Sequence, residues 1–156
     1  MNARKLKEAF VFRGLVFSDD KDKPAKEGLV KTLIYTLSDS GKKQAWGEIL
    51  PLKARQPTVT VHCRHIHYVK NEPGKKLADA EPDEHTQNIR TAFLNVLPVT
   101  VRVPNVPEVR GNIKSIIYWR NDNGNMQCSA EVIDINCPKS SIKARLKYIS
   151  VDGVEN

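Results

Sequence analysis

The clearest alternation of apolar and polar positions lies near the C-terminus. Ile113-Lys-Ser-Ile-Ile-Tyr-Trp-Arg120 and Met126-Gln-Cys-Ser-Ala-Glu-Val-Ile-Asp-Ile135 flank Asn123-Gly124, and the pattern predicts a β-hairpin. A two-residue type I′ turn there would set Trp119 opposite Cys128, Ile117 opposite Ala130 and Ser115 opposite Val132, an apolar face for the core. A third strand is predicted over Ile142 to Val151, where Lys143, Arg145 and Lys147 alternate with Ile142, Ala144, Leu146 and Tyr148. A period of two puts the three charges on one face and the apolar residues on the other. This strand is expected to be buried on one side and cationic on the other.

Upstream, Glu8 to Phe17 reads as a strand, with Phe10 and Phe12 on one face and Val11, Leu15 and Phe17 on the other. Residues 1–8, with Arg4, Lys5 and Lys7, form a basic arm leading into it. Over 24–38 two signals compete. Leu29, Val30, Leu33, Ile34 and Leu37 recur at helical spacing between Pro24 and Gly41, whereas Gly28 and the β-branched, aromatic run Thr32 to Thr36 favour a strand. The spacing points to a helix. Trp46 to Leu50 is a short strand closed by Pro51, and Thr58 to Val69 a longer one. Lys70 to Glu81, with Pro73-Gly74, is a loop. A second helix is predicted from Pro82, with Asp83 and Glu84 at the positive end of its dipole and a stripe of Ile89, Ala92, Phe93, Val96 and Leu97 stopped by Pro98. Val99 to Val103 is short and extended, and Pro104-Asn-Val-Pro107 is an edge or connector. The order implies an α+β fold, a mainly antiparallel β-sheet with two helices packed on one side. One globular domain is expected over 9–151, with a tail at 152–156, and neither an internal repeat nor a low-complexity segment is apparent.

At 156 residues such a domain buries roughly two thirds of the surface its unfolded chain exposes. Composition adds a direction. Lysine and arginine total 25 against 18 acids, a net charge of +7, which suits a polyanionic partner. Lys53, Arg55, Arg64, Lys70, Lys75 and Lys76 stand against Glu72, and the acidic patch Asp79, Glu81, Asp83 and Glu84 follows. This alternation could steer head-to-tail self-association, although a solvated surface shows the same pattern. Three cysteines, Cys63, Cys128 and Cys137, lack CxxC spacing. With no signal peptide, they point to an intracellular setting, cytoplasm, nucleus or virion, and not to secretion. No apolar run approaches the roughly 18 residues of a spanning helix.

Specific chemistry is sparse. Within Val61-His-Cys-Arg-His-Ile-His-Tyr-Val69, a continuous strand would put Cys63, His65 and His67 on one face, where two or three could converge on zinc with His85, Glu84 or Asp83 as a further ligand. The spacing is not diagnostic of metal, and histidines bonded to backbone or facing solvent explain it as well. Clustered imidazoles would also gain charge near pH 6 and strengthen polyanion binding. There is no GxSxG, no P-loop lysine motif and no GxGxxG after a strand. Cys63 with His65 is the one pair a Cys/His enzyme could use. Lys143, Arg145 and Lys147 are the strongest binding element, since like charges on one strand face repel unless an anion compensates them. Lysines guarding an edge strand against aggregation give the same pattern. Glu131 could compensate one of the charges. Tyr118 is the only aromatic on the outward hairpin face, and no RNP1-like run occurs, so phosphate-directed rather than base-reading contact is expected.

The basic arm, the Phe-rich strand Ala9 to Phe17, the polar loop and amphipathic segment Lys26 to Ser38, and the strand Val61 to Tyr68 resemble in order the globular core of rhabdovirus matrix proteins of the plant-virus type. The resemblance implies a non-enzymatic structural protein that self-associates, contacts the ribonucleoprotein and binds acidic membrane surfaces from the cytoplasmic side. A long disordered N-terminal segment and a late-domain proline motif are missing, which weakens any implication of budding. The expected function is therefore non-enzymatic binding of nucleic acid, ribonucleoprotein or an anionic membrane surface by a homo-oligomer. Arg4, Lys5, Lys7, Arg64, Lys143, Arg145 and Lys147 would be the contact residues, with no cofactor. The alternatives are a small metal-dependent or Cys/His enzyme built on Cys63, His65 and His67, and a regulator that covers an acidic protein partner.

Overall fold

The computed structural model describes residues 1–38, 40–53, 55–70 and 84–152. Strands make up 48% of the chain, with two α-helices, so the fold is a mostly antiparallel α+β structure. The chain divides into two compact units, Met1–Asp79 with Tyr118–Gln127, and Ala80–Ile117 with Cys128–Asn156.

The first unit begins with α1 (Ala3–Phe12) where a strand was expected. Asn2 caps it by accepting from the Lys5 amide at 2.9 Å, and Leu6, Ala9 and Phe10 form a buried i, i+3, i+4 stripe. That stripe begins at Leu6, before the residues that read as β, and it decides the segment. Arg4, Lys5 and Lys7 thus sit on a helix rather than an extended arm. Arg13, in the left-handed region at φ 56°, ends the helix, and the Arg120 guanidinium donates to the Phe10 and Val11 carbonyls at 2.9 and 3.0 Å. Only β1 (Val16–Ser18) of the expected first strand is extended.

β2 (Glu27–Leu37) replaces the helix expected over 24–38. It pairs with β1, Val16 opposite Gly28, and with β3 (Lys43–Pro51), Leu37 opposite Lys43. The misleading helical spacing has a local cause. The register shifts between Val30 and Thr32, so Lys31 is an extra residue that stretches the interval between buried Val30 and buried Leu33 from two positions to three. β4 (Val59–His62) pairs with β3, a 3₁₀ turn (Cys63–His65) follows, and β5 (Ile66–Tyr68) pairs with β1. The single strand expected over Thr58 to Val69 is therefore broken by a turn that carries the chain from one partner strand to another. Cys63, His65 and His67 consequently do not share a strand face.

The second unit holds α2 (Glu84–Asn95), β6 (Val99–Val101), β7 (Val109–Arg120), β8 (Met126–Asp134), β9 (Cys137–Arg145), a 3₁₀ turn (Leu146–Tyr148) and β10 (Ile149–Val151). The tip of the β7–β8 hairpin, Tyr118–Gln127, belongs to the first unit. α2 buries Ile89, Ala92 and Phe93, whereas Val96 and Leu97 are exposed beyond its end. Its expected start at Pro82 lies outside the described residues. The strand expected over 142–151 is split by the 3₁₀ turn, which holds Lys147. The hairpin turn also differs from expectation. Gly124 donates to the Asn121 carbonyl and Asn121 to the Asn125 carbonyl, with only Gly124 at positive φ, a type I turn closed by a glycine bulge. With Asn121 and Asn125 as the closing pair, Trp119 does not face Cys128. Ile116 and Tyr118 are buried where Ile117 and Trp119 were expected to be.

The element order of the second unit repeats that of the first, helix, short strand, long hairpin, strand, 3₁₀ turn, short strand, at a constant offset of 83 positions, as from Gly28 to Gly111. This overturns the expectation of no internal repeat. Val16 pairs with Gly28 and Val99 with Gly111. Gly28 lies against the Leu50 carbonyl and Gly111 against the Ile133 carbonyl, so close that a Cβ would overlap either oxygen. Gly41 and Gly124 take φ 80° and 79° in turns with the same hydrogen bonds. The helices end alike, with Arg13 and Val96 at φ 56° and 53°, and the 3₁₀ turns are entered alike, through His62 at φ −63°, ψ 146° and Arg145 at φ −61°, ψ 149°. Glu48 accepts from Thr58 at 2.9 Å as Glu131 accepts from Ser141 at 3.2 Å. In the core the copies keep apolarity rather than identity, Leu6 with Ile89, Val30 with Ile113, Leu33 with Ile116, Ile49 with Val132.

Candidate anion-binding site

Lys143 and Arg145 project from β9 on either side of buried Ala144, both exposed. β9 is paired with β8, Lys143 standing opposite Glu131 and Arg145 opposite Ser129. Glu131 is already engaged by Lys114 Nζ at 3.6 Å and by the Ser141 hydroxyl. One carboxylate therefore faces two lysines, and the surface keeps a positive excess. Lys147 lies just past β9 on the 3₁₀ turn, its ammonium 5.0 Å from the Tyr148 ring centroid.

Lys147 also borders a pocket of about 390 Å³ in the second unit, lined by His85, Arg102, Lys147, Tyr148, Ile149 and Ser150. Backbone pairing builds its floor, with the Arg102 amide donating to the Tyr148 carbonyl at 2.9 Å and β10 paired to β6, Ser150 opposite Thr100. His85, in the first turn of α2, donates through Nε2 to the Leu146 carbonyl at 2.8 Å. The Arg102 guanidinium reaches the Ser150 hydroxyl at 3.4 Å and the Glu108 carboxylate at 3.2 Å. Arg102 and Glu108 are 65% and 57% exposed, so water screens that pair strongly.

At the equivalent positions of the first unit stand Asn2, Asp19, Arg64, His65, Ile66 and His67. The Asp19 amide donates to the His65 carbonyl at 3.0 Å, as Arg102 does to Tyr148. The side chains differ in sign. Asp19 Oδ2 lies 2.9 Å from His67 Nε2 and Oδ1 lies 3.6 Å from His65 Nδ1, while Arg64 Nε donates to His65 Nε2 at 3.1 Å. The Phe17 ring lies 5.3 Å from that of His67. Here the carboxylate is supplied by the chain itself.

The thiol expected beside these imidazoles is elsewhere. Cys63 is buried, and its Sγ lies 3.8 Å from His62 Nδ1, which accepts from the Arg64 amide at 3.2 Å. Burial first, and then the charges of Arg64 and neighbouring bases, hold the His62 imidazole below its usual range, which keeps it neutral as the acceptor in this cap. Among the described residues no group of three histidine, cysteine or acidic side chains could hold a metal ion, and no helix is long and apolar enough to cross a membrane.

Of the expected contact residues, Lys143 and Arg145 lie on β9 and Lys147 on the 3₁₀ turn after it, so the single strand face expected for all three is interrupted. Arg4, Lys5 and Lys7 lie on α1, Arg4 paired to Glu8 at 3.8 Å, and Arg64 lies on the 3₁₀ turn of the first unit. Arg102, Tyr148, Ser150 and Asp19 were not singled out from sequence. The signal that could have found them is the 83-position offset, which sets Asp19 against Arg102 and His67 against Ser150. No family model, curated protein or solved structure matches the chain.

Proposed function

We propose that the protein is a non-enzymatic, self-associating binder of single-stranded nucleic acid, acting on the phosphate backbone within a ribonucleoprotein. The observation that carries this reading is the exposed Lys143 and Arg145 pair on β9, with Lys147 two residues further on. The net charge of +7 adds long-range attraction for any polyanion. Phosphates are favoured over base edges because lysine and arginine on a strand face match charge spaced along a backbone, and the hairpin offers no row of outward aromatics. Among the described residues β9 is hydrogen-bonded to β8 alone, and its other edge is where a second copy would pair.

The test is the affinity for a labelled single-stranded RNA across a salt series, native protein against Lys143→Glu/Arg145→Glu. Binding that weakens with salt at a log–log slope of about −0.7 per neutralised phosphate, and that is lost in the double variant, is the expected result. No binding at low salt overturns the nucleic-acid reading. Vesicles containing anionic lipid are the second arm, and binding there alone would assign the surface to a membrane.

A further inference from the structure

We infer that the pocket beside β10 seats one nucleotide of the bound strand, its phosphate between Arg102, Lys147 and the Ser150 hydroxyl and its base against Tyr148. The inference rests on the nucleic-acid reading above and names the ligand unit that the second unit holds.

Three observations lead to it. The pocket measures about 390 Å³, within the range that houses small organic ligands and larger than a lone anion needs. Its polar lining includes a guanidinium, an ammonium and a hydroxyl, the donor set that phosphate oxygens take, with the Tyr148 ring beside them and the His85 imidazole bonded to the Leu146 carbonyl. Lys147, which lines the pocket, follows Arg145 by two residues, so the chain leads from the cationic residues of β9 directly to the pocket.

The decisive comparison is internal. In the first unit the same backbone frame carries Asp19, whose carboxylate is held by His65 and His67. There the anion is built in, and the imidazoles around it are occupied. In the second unit Arg102 stands where Asp19 does in the first, Tyr148 where His65 does and Ser150 where His67 does. The carboxylate at that position is replaced by a cation, whose chain partner is the exposed Glu108 carboxylate at 3.2 Å, a pair that water screens and an incoming phosphate can displace, and an aromatic face stands beside it. The two copies thus differ in sign at one position, a carboxylate held by two imidazoles in the first and a guanidinium held only by a solvent-screened pair in the second.

The experiment follows backbone amide signals of the full-length protein by NMR while uridine 5′-monophosphate is added, with inorganic phosphate as a second titrant. The mononucleotide should move the signals of Arg102, Lys147, Tyr148 and Ser150 and leave those of Asp19 and His65 in place. Phosphate should move the Arg102 and Ser150 signals but not that of Tyr148. In parallel, Tyr148→Ala and Arg102→Gln should each weaken binding of a ten-nucleotide oligouridylate by roughly tenfold, the loss of one base stack or one charged contact. If the oligonucleotide binds and depends on Lys143 and Arg145 while the pocket signals stay still, the pocket assignment falls and the reading of β9 stands. If the mononucleotide moves the pocket signals but no oligonucleotide binds, the strand-binding reading falls and the pocket stands as a nucleotide site. If neither titrant moves these signals at millimolar concentration, the inference is wrong whatever the variants do.

Discussion

Tyr35 and Tyr118, the same position in the two copies, meet edge to face with ring centroids 6.0 Å apart at right angles. Both belong to the first unit, because the tip of the second hairpin clusters there. Such a pair is worth about 0.5–1.5 kcal/mol beyond the area its rings bury. Tyr35→Leu and Tyr118→Leu should each destabilise the protein by about 1–3 kcal/mol, and the double variant should lose less than their sum by roughly that coupling. Denaturant midpoints across the four proteins measure it, and additive losses would show that the rings do not interact.

Arg120 closes the C-terminus of α1 through two carbonyls, and its guanidinium lies 4.6 Å from the Phe10 ring centroid. Arg120→Ala should cost about 1.5–3 kcal/mol and speed amide exchange in the last turn of α1. Arg120→Lys should recover little, since an ammonium cannot donate in parallel to both carbonyls. Full recovery by lysine would reduce the contact to simple charge.

The glycines separate close approach from backbone conformation. Gly28→Ala and Gly111→Ala drive a methyl into a carbonyl of the neighbouring strand, and each should cost about 3 kcal/mol or more. Gly41→Ala and Gly124→Ala meet no such clash and should lose about 1–2 kcal/mol for the left-handed conformation alone. Gly47→Ala presses mainly on the tip of the Ile66 side chain, and Ala130 already stands at that position in the second copy. It should cost about 1 kcal/mol or less by thermal denaturation.

Acid should weaken the fold in two stages. His62 is held below its ordinary 6.5, so the unfolded chain takes up the proton first and stability falls as pH drops below 6.5. Protonation also removes the acceptor of the Arg64 amide. His62→Asn keeps an acceptor and should flatten this stage in a melting-temperature series from pH 7 to 5. Asp152 is lowered chiefly by the Thr100 hydroxyl at 2.7 Å and then by Arg110, with partial burial working against them. Its contribution is present above 3.8 and is lost below it, and Thr100→Val should shrink that second stage. The expectation that the histidines as a group gain charge near pH 6 fails for His62, which burial moves the other way.

How far the sequence could be read follows from where regular periodicity was interrupted. α2 and the strands around Val132 and Ile49 were legible because their patterns run unbroken, whereas around Ile113 the strand was legible but its inner face was not, because adjacent Ser115 and Ile116 are both buried and the alternation changes face there. β2 was not, because a single bulged residue, Lys31, imitates helical spacing. The segments around Cys63 and Leu146 were misread because each spans a 3₁₀ turn between two short strands, and apolar residues on both sides fuse into one apparent run. The duplication stayed hidden for a further reason. Core positions tolerate exchange among Leu, Ile and Val, so the copies agree in geometry far better than in letters. The cationic residues of β9 were legible because exposed charge alternates there without a bulge, whereas the pocket depends on residues 46 positions apart, Arg102 and Tyr148.

Two copies in one chain give every strand a sibling with a compatible shape, and the short hairpin turns bear on which partner is found. β2 reaches β3 across the few residues from Ser38 to Lys42, whereas reaching β8 would close a loop of about 90 residues, roughly four doublings longer and about 2.5 kcal/mol costlier in chain entropy. Each hairpin therefore zips with its neighbour in microseconds, before its twin can compete. Lengthening the turn at Gly41 or Gly124 would erode that head start, and the resulting trap would be an exchanged strand rather than an unfolded one.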